Sequence, residues 1–338
     1  PPTRAPAAIG AWGIDLTSRD TSVQPGDDFF RYVNGHWLDT TEIPADRVTW
    51  GTFSILAEKA ERDVKAIIDE VSAAGGAPGS NQQKIADFYN SYNDQAAIEA
   101  AGMTPTQADL AAIDAMRTHE DVARLIGRPD IALDFPLAIY IDLDERNPDR
   151  FLVQMTHGGL SLPDREYYLS QDAAFAEIRQ QFQAHVGRML TAGGVSGAEV
   201  KARQIFALET EIARHHWPIE QRRERERIYN LLNHAQIRAL EPRFPWDAWL
   251  ESAELGSVQE VNVHELSAMQ PLARTVLSTP VATWKAYFTY KYLVNYAAVL
   301  PRALDDENFD FYSRTLNGQQ QQRDRWRRAV TATNGALG

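Results

Sequence analysis

Residues 136–155 read PLAIYIDLDERNPDRFLVQM. A β-branched and aromatic run, a polar turn at Asn147-Pro148-Asp149 and a second apolar run predict a β-hairpin near residues 136–156. This pair of strands sits in a chain whose other apolar positions mostly step by three and four. Upstream, Phe53, Leu56, Ala60, Val64, Ile67, Ile68 and Val71 mark one face of a helix that ends near Gly75-Gly76. Ser80 caps a second helix with Ile85, Phe88, Tyr89 and Tyr92 on its apolar face, and Thr118 with Asp121 makes an acidic capping box. Downstream, a long helix is expected from about residue 170 to 190. A Ser196/Glu199 capping box opens another, which runs to Trp217 and stops at Pro218. Helical segments follow at 228–232, 246–250, 271–277, 283–299 and 309–316, with a short strand at 258–263. The fold class is therefore mainly α with one small hairpin. The first fifty residues carry Trp12, Phe29, Phe30, Tyr32, Trp37 and Trp50 among turn residues and read as a wrapped, buried aromatic arm.

The 338 residues carry a formal charge of -12, 44% hydrophobic residues and no cysteine. Disulfide scaffolds, thiol catalysis and cysteine-ligated zinc are excluded, which leaves any metal to His, Asp and Glu. An even acidic excess argues against a nucleic-acid partner, and no stretch approaches the roughly 18–20 apolar residues of a membrane span.

Short motifs offer little chemistry by themselves. His264-Glu265-Leu266-Ser267-Ala268 imitates the zinc-helix pattern His-Glu-x-x-His, but Ala268 stands where the second imidazole is required, so a surface His-Glu pair at a strand end is expected. Glu211 and His215, four apart on a helix, read as an ion pair, with His216 pointing elsewhere. Asp142, Asp144 and Asn147 lack the glycine and terminal glutamate of a calcium loop and fit a hairpin turn. Gly158-Gly159 reads as a plain turn. The run Arg222, Arg223, Arg225 and Arg227, interleaved with Glu224 and Glu226, reads as a solvated, salt-bridged helix start.

Several blocks together resemble the neprilysin/endothelin-converting-enzyme family of zinc metallopeptidases. Residues 25–37, PGDDFFRYVNGHW, are similar to the family's Pro-Cys-x-Asp-Phe-Tyr-x-Tyr-x-Cys-Gly-x-Trp, followed by Ile43-Pro44 and Trp50-Gly51-Thr52-Phe53. Lys84 with Phe88-Tyr89, residues 159–169 (GLSLPDREYYL), Arg223 with Tyr229-Asn230, Trp246, Phe311-Tyr312, Leu316 with Gly318, and Arg325-Trp326 continue the match in order. Gly26 and Asn34 stand where animal members have cysteines, as expected of disulfide-free bacterial relatives.

The resemblance implies a two-lobed, mainly α-helical metallopeptidase of which this chain supplies part of each lobe: residues 1–218 the N-terminal part of the catalytic lobe, and 219–338 the first part of the lobe that caps the cavity. It implies one zinc ion and a zinc-activated water, with every metal ligand and catalytic residue in a C-terminal half beyond residue 338. The expected partners are that half, possibly as a separate chain, and peptide substrates cleaved on the amino side of bulky apolar residues. It also implies an extracytoplasmic location, periplasmic, secreted or lipid-anchored, with any signal segment already removed. By its register, Phe53 lines the pocket for the residue after the scissile bond, Thr49 replaces an arginine that clamps the substrate carboxylate, and Ser54 replaces an acidic partner. Arg47 is the candidate to compensate. Apolar periodicity alone would instead make Phe53 the first core residue of its helix. The rival reading is a non-catalytic peptide-binding or pseudo-enzyme module.

Overall fold

A computed structural model describes residues 15–131 and 133–337; Trp12 of the expected arm lies outside them. In chain order the helices and strands are α1 (Phe29–Thr40), α2 (Thr52–Ala74), α3 (Asn81–Asn93), α4 (Gln95–Ala101), α5 (Gln107–Ala115), α6 (His119–Gly127), β1 (Leu137–Asp144), β2 (Asn147–His157), α7 (Glu166–Leu169), α8 (Ala173–Ala192), α9 (Ala198–His215), β3 (Leu231–Leu232), α10 (His234–Leu240), α11 (Trp246–Ser252), β4 (Val261–Val263), α12 (Leu266–Ser278), α13 (Val281–Tyr296), α14 (Arg302–Phe309) and α15 (Arg325–Leu337). The chain is mainly α, as the spacing of its apolar residues requires.

The chain forms two compact units, one holding the residues up to Asn90 together with those from Asn317 onward, the other spanning Ser91–Leu316. Residue 218, the expected lobe boundary, falls inside the second unit. Helix α9, just before it, packs against α12 and α13 beyond it.

In the first unit α2 packs against α15, with Ile68, Ala329 and Val330 buried. Two carboxylates of α2, Glu58 and Glu61, face Arg327 at 3.4 and 2.7 Å, and Glu61 also pairs with Arg323. The main chain at Ala45 accepts from the Gln320 and Gln321 N–H groups at 3.1 and 2.9 Å, fastening the loop before α2 to the segment before α15. The aromatic block was expected as a buried arm, but residues 29–40 are helical. Asp28 caps α1 by accepting from the Arg31 N–H, while Phe29 and Phe30 stand 67% and 65% exposed.

The second unit is built round α13, which buries Trp284, Tyr287, Phe288, Tyr290 and Leu293. A helix buried on so many sides is a core element, not an amphipathic surface one. Helices α8 and α9 pack on it and on each other. The expected hairpin is present: β1 and β2 pair antiparallel from Leu137↔His157 to Leu143↔Phe151. Two short strands extend it in the order β1-β2-β4-β3, with β4 parallel to β2 and antiparallel to β3. Residues 231–232, expected within a helix, are β3. The Thr118/Asp121 box caps α6 as expected. The Ser196/Glu199 box does not form, because α9 begins after Gly197 in the left-handed conformation with no side-chain cap. Pro271 lies inside α12, which starts at Leu266 rather than at the proline.

Candidate functional site

The loop leading into α2 is extended at Gly51, and the helix starts at Thr52 without a side-chain cap. This brings Thr49, Phe53 and Ser54 together on the entry loop and first helical turn. Phe53 is 89% exposed, so it is not the first core residue of its helix. Ile55 and Leu56 beside it and Phe29 and Phe30 on α1 are also exposed. Exposed aromatics clustered in this way mark a candidate interaction surface.

Arg47 is differently disposed. Its Nη2 lies 3.1 Å from Glu58 Oε1 and 4.0 Å from Glu61 Oε2, inside the ion-pair cluster with Arg323 and Arg327. Sequence spacing could not reveal this, because the carboxylates that hold Arg47 are met by two further arginines from the far end of the chain. Arg62 also reaches Glu58 at 3.7 Å, so four guanidiniums face two carboxylates.

Residues that the sequence left as ornaments form a polar centre in the second unit. His157, at the end of β2, stacks on His216, the residue after α9, with ring centroids 3.7 Å apart. The Trp217 N–H donates to His157 Nε2 at 3.3 Å, and His216 Nε2 lies 3.0 Å from the Gly158 carbonyl. The remaining nitrogen of His157, Nδ1, is buried without a partner. Burial, followed by the Arg222 charge, pushes His157 down to about 3; burial and then the neighbouring His157 do the same to His216. Both rings are neutral at ordinary pH.

Glu265 was expected at the surface, yet it is 1% exposed. It accepts from Thr156 Oγ1 at 2.7 Å, the His157 N–H at 3.2 Å and Arg222 Nε at 3.1 Å. Arg222 therefore serves a buried carboxylate from a short 3-10 turn, Gln221–Arg223, instead of opening a solvated helix. His264 points to Gln154 Oε1 at 3.0 Å. His157, His216 and Arg222, with Asp134, Arg165 and Glu220, line a cavity of about 370 Å3.

The block at residues 159–169 is held from beneath. Glu209 on α9 is fully buried and accepts from the Ser161 N–H and Oγ at 3.1 and 2.6 Å and from the Tyr168 hydroxyl at 2.5 Å, while Lys291 Nζ stands 3.8 Å away. Burial pushes the Glu209 carboxyl up and the Tyr168 hydroxyl well up. Gly158 and Gly159 make the expected turn. Gly159 has φ +89°, and a Cβ on Gly158 would meet the Phe135 carbonyl oxygen at 2.6 Å.

Glu211 Oε1 and His215 Nε2 lie 3.3 Å apart, the pairing expected of residues four apart on one helix. Asp144 closes the hairpin turn: burial would raise its carboxyl, but the Arg146 N–H, Arg150 and Tyr229 all donate to it and hold it below the usual range. Among the described residues, no group of three His, Cys, Asp or Glu is placed to hold a metal ion. The described residues therefore do not fit a zinc site.

The model of the peptidase family M13 matches residues 25–338. The chain belongs to peptidase family M13. Relatives include endothelin-converting enzyme-like 1 of Homo sapiens, 27% identical over 297 residues, with 81% of this chain and 38% of that protein covered. Endothelin-converting enzyme 1 of Rattus norvegicus is 22% identical over 346 residues, covering 98% and 45%. Among solved structures, the Mycobacterium tuberculosis zinc metalloprotease Zmp1 in complex with an inhibitor superposes with a TM-score of 0.90 at 36% identity, over 96% of this chain and 50% of that one. PepO of Lactobacillus rhamnosis HN001, at 18% identity and a TM-score of 0.76, shares the fold over 93% and 50%. This M13 chain thus spans half or less of the relatives it matches. No helix among its described residues is long and apolar enough to cross a membrane.

Proposed function

We propose that this M13 chain is the N-terminal half of a bacterial zinc endopeptidase that acts outside the cytoplasm and cuts peptides on the amino side of bulky apolar residues. The observation that carries the reading is Phe53. It is a nearly fully exposed aromatic on the first turn of α2, at the position where the family's pattern calls for a pocket-lining phenylalanine. An exposed ring of this size contributes most when a partner or ligand buries it. The exposed apolar positions of α1 and α2 are, in this reading, what the C-terminal half covers, whether it follows in the same polypeptide or is held as a separate chain. That half supplies the zinc ion and the catalytic groups.

This chain's own part is to shape the subsite. Thr49 and Ser54 offer no charge to a substrate carboxylate, and Arg47 is engaged by Glu58 and Glu61. A bidentate clamp for a C-terminal carboxylate is therefore missing on this face, and the enzyme is an endopeptidase rather than a carboxy-dipeptidase. The test is cleavage of internally quenched peptides by protein carrying both halves, with and without chelator. Chelator-sensitive cleavage before Phe or Leu, at similar rates for free and amidated C-termini, is the expected result. Binding without any chelator-sensitive cleavage would leave a peptide-binding module instead.

A further inference from the structure

One edge of the four-stranded sheet is formed by β1, and its open side can be read from the register. The Gly158 N–H donates to the Pro136 carbonyl at 3.2 Å, and that pair is in step with Leu137↔His157. In an antiparallel pair the bonded and non-bonded positions alternate, so the even-numbered residues of β1 exchange bonds with β2. The N–H and C=O groups of Ile139 and Ile141 then point away from β2, and among the described residues no strand pairs with them. The exposed edge is short, because at Leu143 the N–H is taken by Asp142 Oδ1 at 2.7 Å. Natural sheets cover or blunt such an edge unless something is to pair with it.

Beside this edge lies an apolar cavity of about 370 Å3, lined by Ile126, Ile131, Leu133, Phe135, Ile139 and Leu255 among others. The hairpin around it is acidic in its unpaired groups. Asp142, Glu145 and Asp149 make no ion pair among the described residues. Arg128, Arg146 and Arg150 are each occupied by a carboxylate, Asp130, Glu226 and Asp144 respectively. A second copy of the chain would bring a second acidic edge against the first, whereas a cationic strand would be attracted.

We propose that the β1 edge docks an extended, basic segment of the substrate polypeptide by strand addition, with one bulky apolar side chain entering the adjoining cavity. The mode is backbone pairing for affinity and a side-chain pocket for selection. The identity of the occupant as substrate rests on the peptidase reading; the docking itself does not.

The test uses protein carrying both halves, in chelator so that no cleavage can occur, and the acetylated, amidated peptide Lys-Thr-Val-Leu-Val-Thr-Lys as probe. Hydrogen exchange at the Ile139 and Ile141 amides should slow on adding the probe. Methylating the probe's alternate backbone nitrogens on the pairing side should weaken binding by about tenfold or more, as should replacing its central Leu by Asp. Ile141→Pro removes an outward N–H while keeping every bond to β2, and should weaken binding to a similar degree. Equal binding of the methylated probe, which leaves the protein untouched, would overturn the proposal. So would protection of Ile139 and Ile141 that depends on protein concentration without probe, which would point to self-pairing. Slowed exchange in a protein that never cleaves would overturn the peptidase reading alone.

Discussion

Among single residues, Glu209 is the buried charge on which the 159–169 block depends. Its carboxylate has four partners, Ser161 through two atoms, Tyr168 and Lys291. Glu209→Ala leaves the buried Lys291 with only Asp134 at 3.5 Å and the Ser161 N–H with only the Tyr168 hydroxyl at 3.2 Å, and should cost about 3–5 kcal/mol, read as a shift of the urea midpoint. Pairing it with Lys291→Met should recover part of that loss, because the remaining buried charge is then gone. The histidine stack gives a second expectation. His157 and His216 have an ordinary value of 6.5 and are held near 3 in the fold. Between those values the unfolded chain takes up protons that the folded chain refuses. Stability is therefore full above about pH 6.5 and falls with acidification, by up to about 1.4 kcal/mol per pH unit for each ring. Denaturant midpoints at pH 7, 5 and 4 should show a steeper fall for the native chain than for His157→Asn/His216→Gln; parallel curves would contradict the assignment.

At the scale of elements, the turn that joins β2 to the 159–169 block is fixed by backbone geometry. A methyl on Gly159 would strain a residue at φ +89° and press on the Pro136 N at 2.9 Å. Gly159→Ala should cost about 1–3 kcal/mol in thermal or urea unfolding, and an unchanged midpoint would show that the turn can relax. Elements whose signal is local were legible in the sequence: α2 from its three-and-four spacing, α6 from the Thr118/Asp121 box, the hairpin from its two apolar runs and the polar turn between them. Elements fixed by distant contacts were not. Little in residues 29–40 marks a helix by burial, because Phe29 and Phe30 are exposed and Tyr32 and Trp37 only partly buried. The two residues of β3 become a strand only through pairing with β4. Ser196 and Glu199 satisfy a capping pattern, but a left-handed Gly197 starts the helix instead.

For the molecule as a whole, family membership was legible because blocks of unlike residues recur in fixed order, and the M13 match over residues 25–338 agrees with that order. The polar centre was not, because Glu265, His157 and His216 come from separate segments that only the sheet and α9 bring together. Phe53 as a subsite residue remains a proposal, and the engagement of Arg47 by Glu58 and Glu61 of α2 was announced by no motif. The account's central claim is that Phe53 forms the apolar subsite of an endopeptidase completed by further polypeptide. It is tested most directly by kcat/KM for chelator-sensitive cleavage, by protein carrying both halves, of peptides with Phe, Leu or Ala after the scissile bond, before and after Phe53→Ala. The expected result is a loss of about tenfold or more for Phe and Leu and a much smaller one for Ala, since only the large side chains lose buried contact. An equal effect on all three peptides, or none, would contradict it.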